Sequence, residues 1–217
     1  MSKKKGKRVQ EIDNSPVFRI ITLGDSGVGK TSIINRYVKN IFNDNNPSTV
    51  GVSFAIKELY INKQKIRLKL IDTCGQERYK ALTNAYLKNT DACFFIFALN
   101  DRDSFDNIKM WMDLFYENHK INEIPAILIG NKSDLESDIE DNIINEFAQN
   151  TNIEFIKTSA KEKININEVM EKLAKILYKK SNFSDKQNIN NIMISEKNPK
   201  KKKKCMSWIG GFLRDDN

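Results

Sequence analysis

The sequence predicts an α/β fold: a six-stranded, mostly parallel sheet with one antiparallel strand and helices on both faces. Three observations predict it. Short apolar runs alternate with amphipathic stretches from Val17 to Lys180. Two of the runs, SFAIKELYI and KIRLKLI, are separated only by the polar turn NKQ and so read as a hairpin. A glycine-rich loop stands between the first apolar run and the first amphipathic stretch.

Each element follows from its local pattern. VFRIITL (17–23) reads as a strand and KTSIINRYVKN (30–40) as a helix. The two hairpin strands alternate in polarity, as strands with one face on a core do. ACFFIFAL (92–99) is apolar throughout and has the length of a strand buried on both faces. SFDNIKMWMDLFYENHK (104–120) places Ile108, Met112 and Phe115 at helical spacing, with Trp111 expected to pack and His119 to lie on the surface. PAILIG (125–130) is a second buried strand, DIEDNIINEFAQN (138–150) a helix and IEFIKTS (153–159) a short strand. NINEVMEKLAKILYKK (165–180) closes the series as an amphipathic helix, with Val169, Leu173, Ile176 and Leu177 on one side. After Lys180 the period stops, and the Asn- and Lys-rich continuation predicts disorder. Three segments result: a basic N-terminal tail over 1–16, one folded domain over 17–180, and a basic C-terminal tail over 181–217.

Charge sharpens that division. Residues 1–16 carry five cations and two anions, and residues 181–217 eight cations and four anions, so of the net +8 the body holds about +1. The basic character belongs to the tails, and no nucleic-acid partner is expected of the domain. Cys74, Cys93 and Cys205 form no paired framework and no metal-ligand spacing, which points to a reducing compartment. MSKKKGKR lacks an apolar core, so it is not a secretory signal. No run reaches the roughly 18–20 apolar residues that a membrane span needs. Ser2 in place of Gly leaves no N-myristoylation site.

The chemistry concentrates in five loops. GDSGVGKT, Gly24 to Thr31, has the G-x-x-x-x-G-K-[ST] pattern between a predicted strand and a predicted helix. Gly24, Gly27 and Gly29 permit close backbone approach. The N–H groups from Asp25 and Ser26 through Val28 to Ser32, with a helix start behind them, form a concavity for phosphate oxygens. Lys30 would reach the β- and γ-phosphates and the Thr31 hydroxyl would ligate Mg²⁺. The loop alone leaves ATP and GTP open. NKSD (131–134), directly after a buried strand, favours guanine: Asp134 can accept from both N1–H and the 2-amino group, a donor pair that adenine lacks. Asn131 can tie this loop to the phosphate loop, and the Lys132 stem can cover one face of the base. In TSAK (158–161), with Ser159 and Lys161, the Ala160 N–H can donate to guanine O6. DTCGQE (72–77) supplies Asp72 for Mg²⁺ through a water, the Gly75 N–H for the γ-phosphate and Gln76 to orient an attacking water. Thr49, in PSTVGVSF, could complete the Mg²⁺ shell. Phe42 is either an edge-on partner of the base or a plain apolar anchor.

With these motifs in order, residues 17–180 resemble a small G domain of the Ras superfamily, closest to its Rab branch. STVGVSF resembles that branch's first switch, LKLIDTCGQERYKALTNAYLKNTDA its second switch and flanks, and SFDNIKMWMD its third helix. The resemblance implies a nucleotide-dependent switch in vesicle traffic, hydrolysing GTP with Gln76, Lys30 and Thr49 in the catalytic roles. It also implies an exchange factor, a GTPase-activating protein and effectors that contact residues 42–54 and 72–86. Two positions depart from the branch: Ile71 stands where Trp is usual, beside Phe54 and Tyr86, and Cys74 stands where Ala is usual. The first bears on effector choice. No arginine within the chain suits transition-state stabilisation, so slow intrinsic hydrolysis is expected, with an external arginine worth about 10³–10⁵-fold. A GTP-binding scaffold with little hydrolysis and a nuclear transport GTPase of the Ran kind are the alternative readings.

The C-terminal tail fits the branch poorly. Lys200 to Lys204 precede Cys205, which is followed by twelve further residues and forms neither a C-a-a-X box nor a terminal cysteine pair. Attraction of the lysines to anionic lipid is expected, joined by palmitate on Cys205 or insertion of Trp208, Ile209, Phe212 and Leu213. That places the chain in the cytoplasm and on the cytoplasmic face of an intracellular membrane. PKKKKK also resembles a nuclear localisation signal.

Overall fold

A computed structural model describes residues 13–44, 49, 51–75, 86–121 and 123–197. By contact the chain divides into Met1–Lys180 and Ser181–Asn217. The first unit holds six strands: β1 Val17–Leu23, β2 Val52–Ile61, β3 Gln64–Thr73, β4 Ala92–Ala98, β5 Ala126–Asn131 and β6 Glu154–Lys157. Its helices are α1 Lys30–Lys39, α2 Arg102–Asp106, α3 Ile108–Tyr116 and α4 Asp141–Thr151, followed by α5, Ile166–Lys197. The sheet runs β2-β3-β1-β4-β5-β6. Every pairing is parallel except β2 with β3.

Why the hairpin turns where it does is visible in its backbone. Asn62 and Lys63 both have positive φ, 50° and 66°, and Ile61 pairs with Gln64. Two left-handed residues make the turn whose twist matches that of the flanking strands, and Asn tolerates the first position. The turn is therefore two residues, and Gln64 belongs to the strand.

The sheet separates two apolar layers because successive residues of each strand point to opposite faces. Ile20, Phe94 and Ile96 pack with Ile33 and Ile34 of α1 and Val169 and Leu173 of α5. Ile21, Leu23, Phe95 and Phe97 pack with Trp111 and Phe115 of α3 and Ile144 of α4. All seven residues of β4 are buried. At about 1.5–3 kcal/mol for each large apolar side chain removed from water, this central strand organises the core.

Three helix expectations change. The single helix over 104–120 is two, α2 and α3, meeting at Asn107; the first starts at Arg102, where Asp101 Oδ1 accepts the Ser104 N–H at 3.2 Å. The helix expected from Asp138 begins at Asp141. The Asp138 N–H is spent on Leu99 O, and Ile139 is buried as an anchor ahead of the helix. The last helix does not stop with its apolar period at Lys180, and the disorder expected from 181 meets a helix that continues to Lys197. No Gly or Pro interrupts that stretch before Pro199. Residues 198–217, including Cys205 and the lysine run, lie outside the described residues. Among the described residues, no helix is long and apolar enough to cross a membrane.

His119 is also less exposed than expected. It is partly buried, with its Nε2 2.7 Å from Leu87 O and its ring 4.7 Å from the Phe115 centroid. A carbonyl can only accept, so Nε2 carries the proton.

Candidate functional site

Four loops leave the sheet at the same edge, because β1, β3, β5 and β6 run parallel and the chain exits each at its C-terminal end. These are the segments after Leu23, Thr73, Asn131 and Lys157. Between them lies a cavity of about 440 Å³. Its phosphate-loop wall is Ser26, Gly27, Gly29, Lys30, Thr31 and Ser32. Thr49 and Gly75 close one side, and Phe42, Asn131, Lys132, Asp134, Ala160 and Lys161 the other. Gly24, Asp25, Val28, Asp72 and Ser159 support this lining from behind. Gln76 lies outside the described residues.

At one end Lys30 is buried, and its Nζ donates to Gly24 O at 2.9 Å and Asp25 O at 2.7 Å. Burial pushes this ammonium down to about 8, with the Asp72 and Asp25 carboxylates opposing the shift. An incoming phosphate would bring the opposite charge that favours the protonated form. The Asp25 side chain turns the other way: its Oδ1 accepts from Trp111 Nε1 at 2.7 Å and its Oδ2 from Asn107 Nδ2 at 2.8 Å. Asp25 therefore serves the site through its backbone. Trp111 packs as expected and also fixes the loop.

Beside Lys30, Thr31 Oγ1 lies 2.6 Å from Thr49 Oγ1 and donates to Asp72 Oδ2 at 2.7 Å. The donor pattern then requires Thr49 to donate to Thr31, since Thr31 spends its one hydrogen on the carboxylate. Asp72 Oδ1 is buried and has no hydrogen-bond partner. Burial raises the Asp72 carboxyl pKa against the hydrogen bond from Thr31, the Lys30 charge and the hydrogen bond from Ser53. Three hard oxygens meeting around an orphaned carboxylate atom fit Mg²⁺. Gly75 lies against the phosphate loop so tightly that a Cβ there would fall 2.2 Å from Asp25 C and 2.3 Å from Ser26 N.

At the other end Asn131 acts as the expected tie. Its Nδ2 donates to Val28 O at 2.8 Å, and its Oδ1 accepts from Thr158 Oγ1 and the Ala160 N–H, both at 3.2 Å. Gly29 makes room for it: at φ 101°, a Cβ would fall 2.2 Å from Asn131 Nδ2. The Ala160 N–H, expected to face guanine O6, thus has a first partner within the protein. Asp134 Oδ1 accepts from Ser159 Oγ at 2.5 Å, and Ser159 Oγ in turn accepts the Glu162 N–H at 2.9 Å. Ser159 therefore orients the carboxylate.

Three lining residues lie outside the motifs, Asn43, Asp44 and Leu135, while Thr73 lines the cavity from within DTCGQE. Asn43 and Leu135 could be found as direct neighbours of Phe42 and NKSD. Arg36, on α1, reaches the Ala160 and Lys161 carbonyls, and no sequence pattern points to it.

The Ras family model matches residues 19–179. This chain belongs to the Ras family. The Ras-related protein RabO of Dictyostelium discoideum is 35% identical over 189 residues, 82% of this chain and 87% of RabO. The Ras-related protein SEC4 of Saccharomyces cerevisiae is 38% identical over 165 residues, 76% of each chain. The GTP-binding protein ypt3 of Schizosaccharomyces pombe is 35% identical over 164 residues, 75% of this chain and 76% of ypt3. The Ras-family assignment and these Rab, Ypt and Sec4 relatives make it a Rab-type member. The position where Rab proteins usually carry Trp is Ile71, buried and paired in register with Phe54, whose ring meets Tyr86 edge-on at 5.4 Å. Phe54 is 46% exposed and Lys69 Nζ lies 4.5 Å from its centroid, so this Ras-family surface is open on its aromatic side.

Proposed function

We propose that the cavity holds the guanine of GTP or GDP at Asp134, Asn131, Ala160 and Lys132. Its phosphates would lie along Gly24–Ser32 against Lys30, with Mg²⁺ held by Thr31, Thr49 and, through a water, Asp72. The observation that supports this most is the meeting of the Thr31, Thr49 and Asp72 oxygens beside Lys30 in the same cavity that Asp134 lines. As a Rab-type protein, the chain is a GTP-binding switch of vesicle traffic and a GTPase, and the family works with Mg²⁺, regulators and effectors.

Phosphoryl transfer needs positioning and neutralisation of developing charge more than a side-chain nucleophile. Mg²⁺, when bound, neutralises charge on the phosphates. The chain's own part is the Lys30 ammonium, the backbone N–H groups of the loop and a water oriented by Gln76. Thr49 and Gly75 would report the γ-phosphate. They sit on two different loops, and loss of that phosphate releases both. Residues 42–54 and 72–86 are then the surface that partners compare between states. The lysine run and Cys205 would hold the chain on the anionic cytoplasmic face of an intracellular membrane.

The decisive experiment is nucleotide analysis of the purified full chain. Bound GDP or GTP, displaced by GTP and not by ATP, is expected, with slow hydrolysis that Gln76→Leu abolishes. Equal displacement by ATP would overturn the guanine assignment. For the tail, a tagged chain is expected to leave membranes on removal of 199–217; identical distributions would sink the anchor.

A further inference from the structure

Arg36 lies in the last turn of α1, the helix whose first residue is Lys30. Its guanidinium is engaged on three edges. Nε donates to Ala160 O at 2.7 Å, one terminal nitrogen to Lys161 O at 2.9 Å and the other to Asn40 O at 3.2 Å. The group also lies over the Phe42 ring, 5.7 Å from its centroid. Guanidinium donors share one plane, so three carbonyls fix its orientation as no ammonium could.

The residues it holds are those at the base end of the cavity. Ala160, Lys161 and Phe42 all line it. The same segment is gripped from its other side, where Asn131 Oδ1 accepts the Ala160 N–H. Ala160 is thus fixed through its carbonyl by Arg36 and through its N–H by Asn131. Arg36 also joins this segment to Phe42, which comes from a different part of the chain. Through Arg36, α1 thus joins the two sides of the base end of the cavity.

We propose that Arg36 is a positioning residue for guanine recognition, clasping the Ala160–Lys161 backbone and Phe42 together and setting how slowly nucleotide leaves. The inference rests on reading the cavity as a guanine-nucleotide site, and it assigns Arg36 no contact with the nucleotide. Its action is confined to the base end, so the phosphate end should not feel its loss.

The test uses the full chain loaded with GDP. It measures GDP release into excess unlabelled GDP, and the binding of inorganic pyrophosphate to the nucleotide-free protein as a base-free probe. Arg36→Ala is expected to release GDP about 10–100-fold faster, as charge-assisted bonds to the clasp are lost. Pyrophosphate binding is expected to stay within about twofold. Arg36→Lys keeps the charge but cannot span both carbonyls, and should fall between the two at about 3–10-fold. Unchanged GDP release overturns the inference, and so does a parallel loss of pyrophosphate binding, which would mark a general structural role. Should Arg36→Ala not fold, Arg36→Lys decides by the same two readouts. Failure of the unaltered chain to bind GDP would instead refute the reading of the cavity itself.

Discussion

The two ends of the cavity are built differently. At the base end, protein groups hold one another: Asn131 bridges the phosphate loop to Ala160, Ser159 orients Asp134, and Arg36 ties two loops to α1. At the phosphate end, the groups that hold one another are those expected to meet the ligand: Lys30 on two carbonyls, and Thr31 between Thr49 and Asp72. The first arrangement is a network satisfied before any ligand arrives, which fixes geometry. In the second, a few short-range hydroxyl and ammonium contacts are exchanged for ligand contacts. On the proposed reading, base recognition falls at the preorganised end and switching at the exchangeable one.

Four substitutions would break or sharpen that contrast. The largest effect is expected from Asp134→Ala, which would remove the two charge-assisted hydrogen bonds proposed to guanine. At about 1.5–3 kcal/mol each, GDP affinity should drop roughly 10²–10⁴-fold, read by titration calorimetry. A drop under tenfold would mean that the base is recognised elsewhere. Next is Gly29→Ala, where a Cβ would meet Asn131 Nδ2 at a φ of 101°. About 3 kcal/mol of stability should be lost in urea unfolding, because the substitution strains the backbone and displaces the tie between the two ends. Trp111→Phe keeps an aromatic ring but removes the donor to Asp25 and part of a buried ring, and about 1.5–2.5 kcal/mol is expected by the same measurement. Asn107 still holds the other carboxylate oxygen, which limits the loss. Smallest is Thr49→Ala, for which GDP affinity should change by under about threefold while the preference for GTP with Mg²⁺ is lost. Equal losses for both nucleotides would place Thr49 in the preorganised part of the site.

Much of this was legible in the residues. The strand–loop–helix setting of GDSGVGKT and the placement of NKSD and TSAK after apolar runs identified the cavity's walls, because backbone loops and strand ends are local features. The hairpin was legible for the same reason, as two left-handed residues close it. The break at Asn107 was not, since neither Gly nor Pro marks it and Ile108, Met112 and Phe115 keep helical spacing directly after it. Nor was the partly buried position of His119, which depends on Leu87 arriving from 32 residues away in the sequence.

Arg36 shows the boundary most clearly. Its place six residues after Lys30 says only that it lies on the same helix. That its guanidinium meets carbonyls more than 120 residues away follows from α1 and the segment after β6 sharing one edge of the sheet. The same holds for Asp25, whose side chain looks like part of a phosphate loop until Trp111 and Asn107 turn it away. By itself, the sequence determined which loops form and what chemistry each carries, because loop conformation and donor type depend on near neighbours. Tertiary structure decided which side chains hold those loops in register, because each such bond joins residues that only the folded sheet brings together.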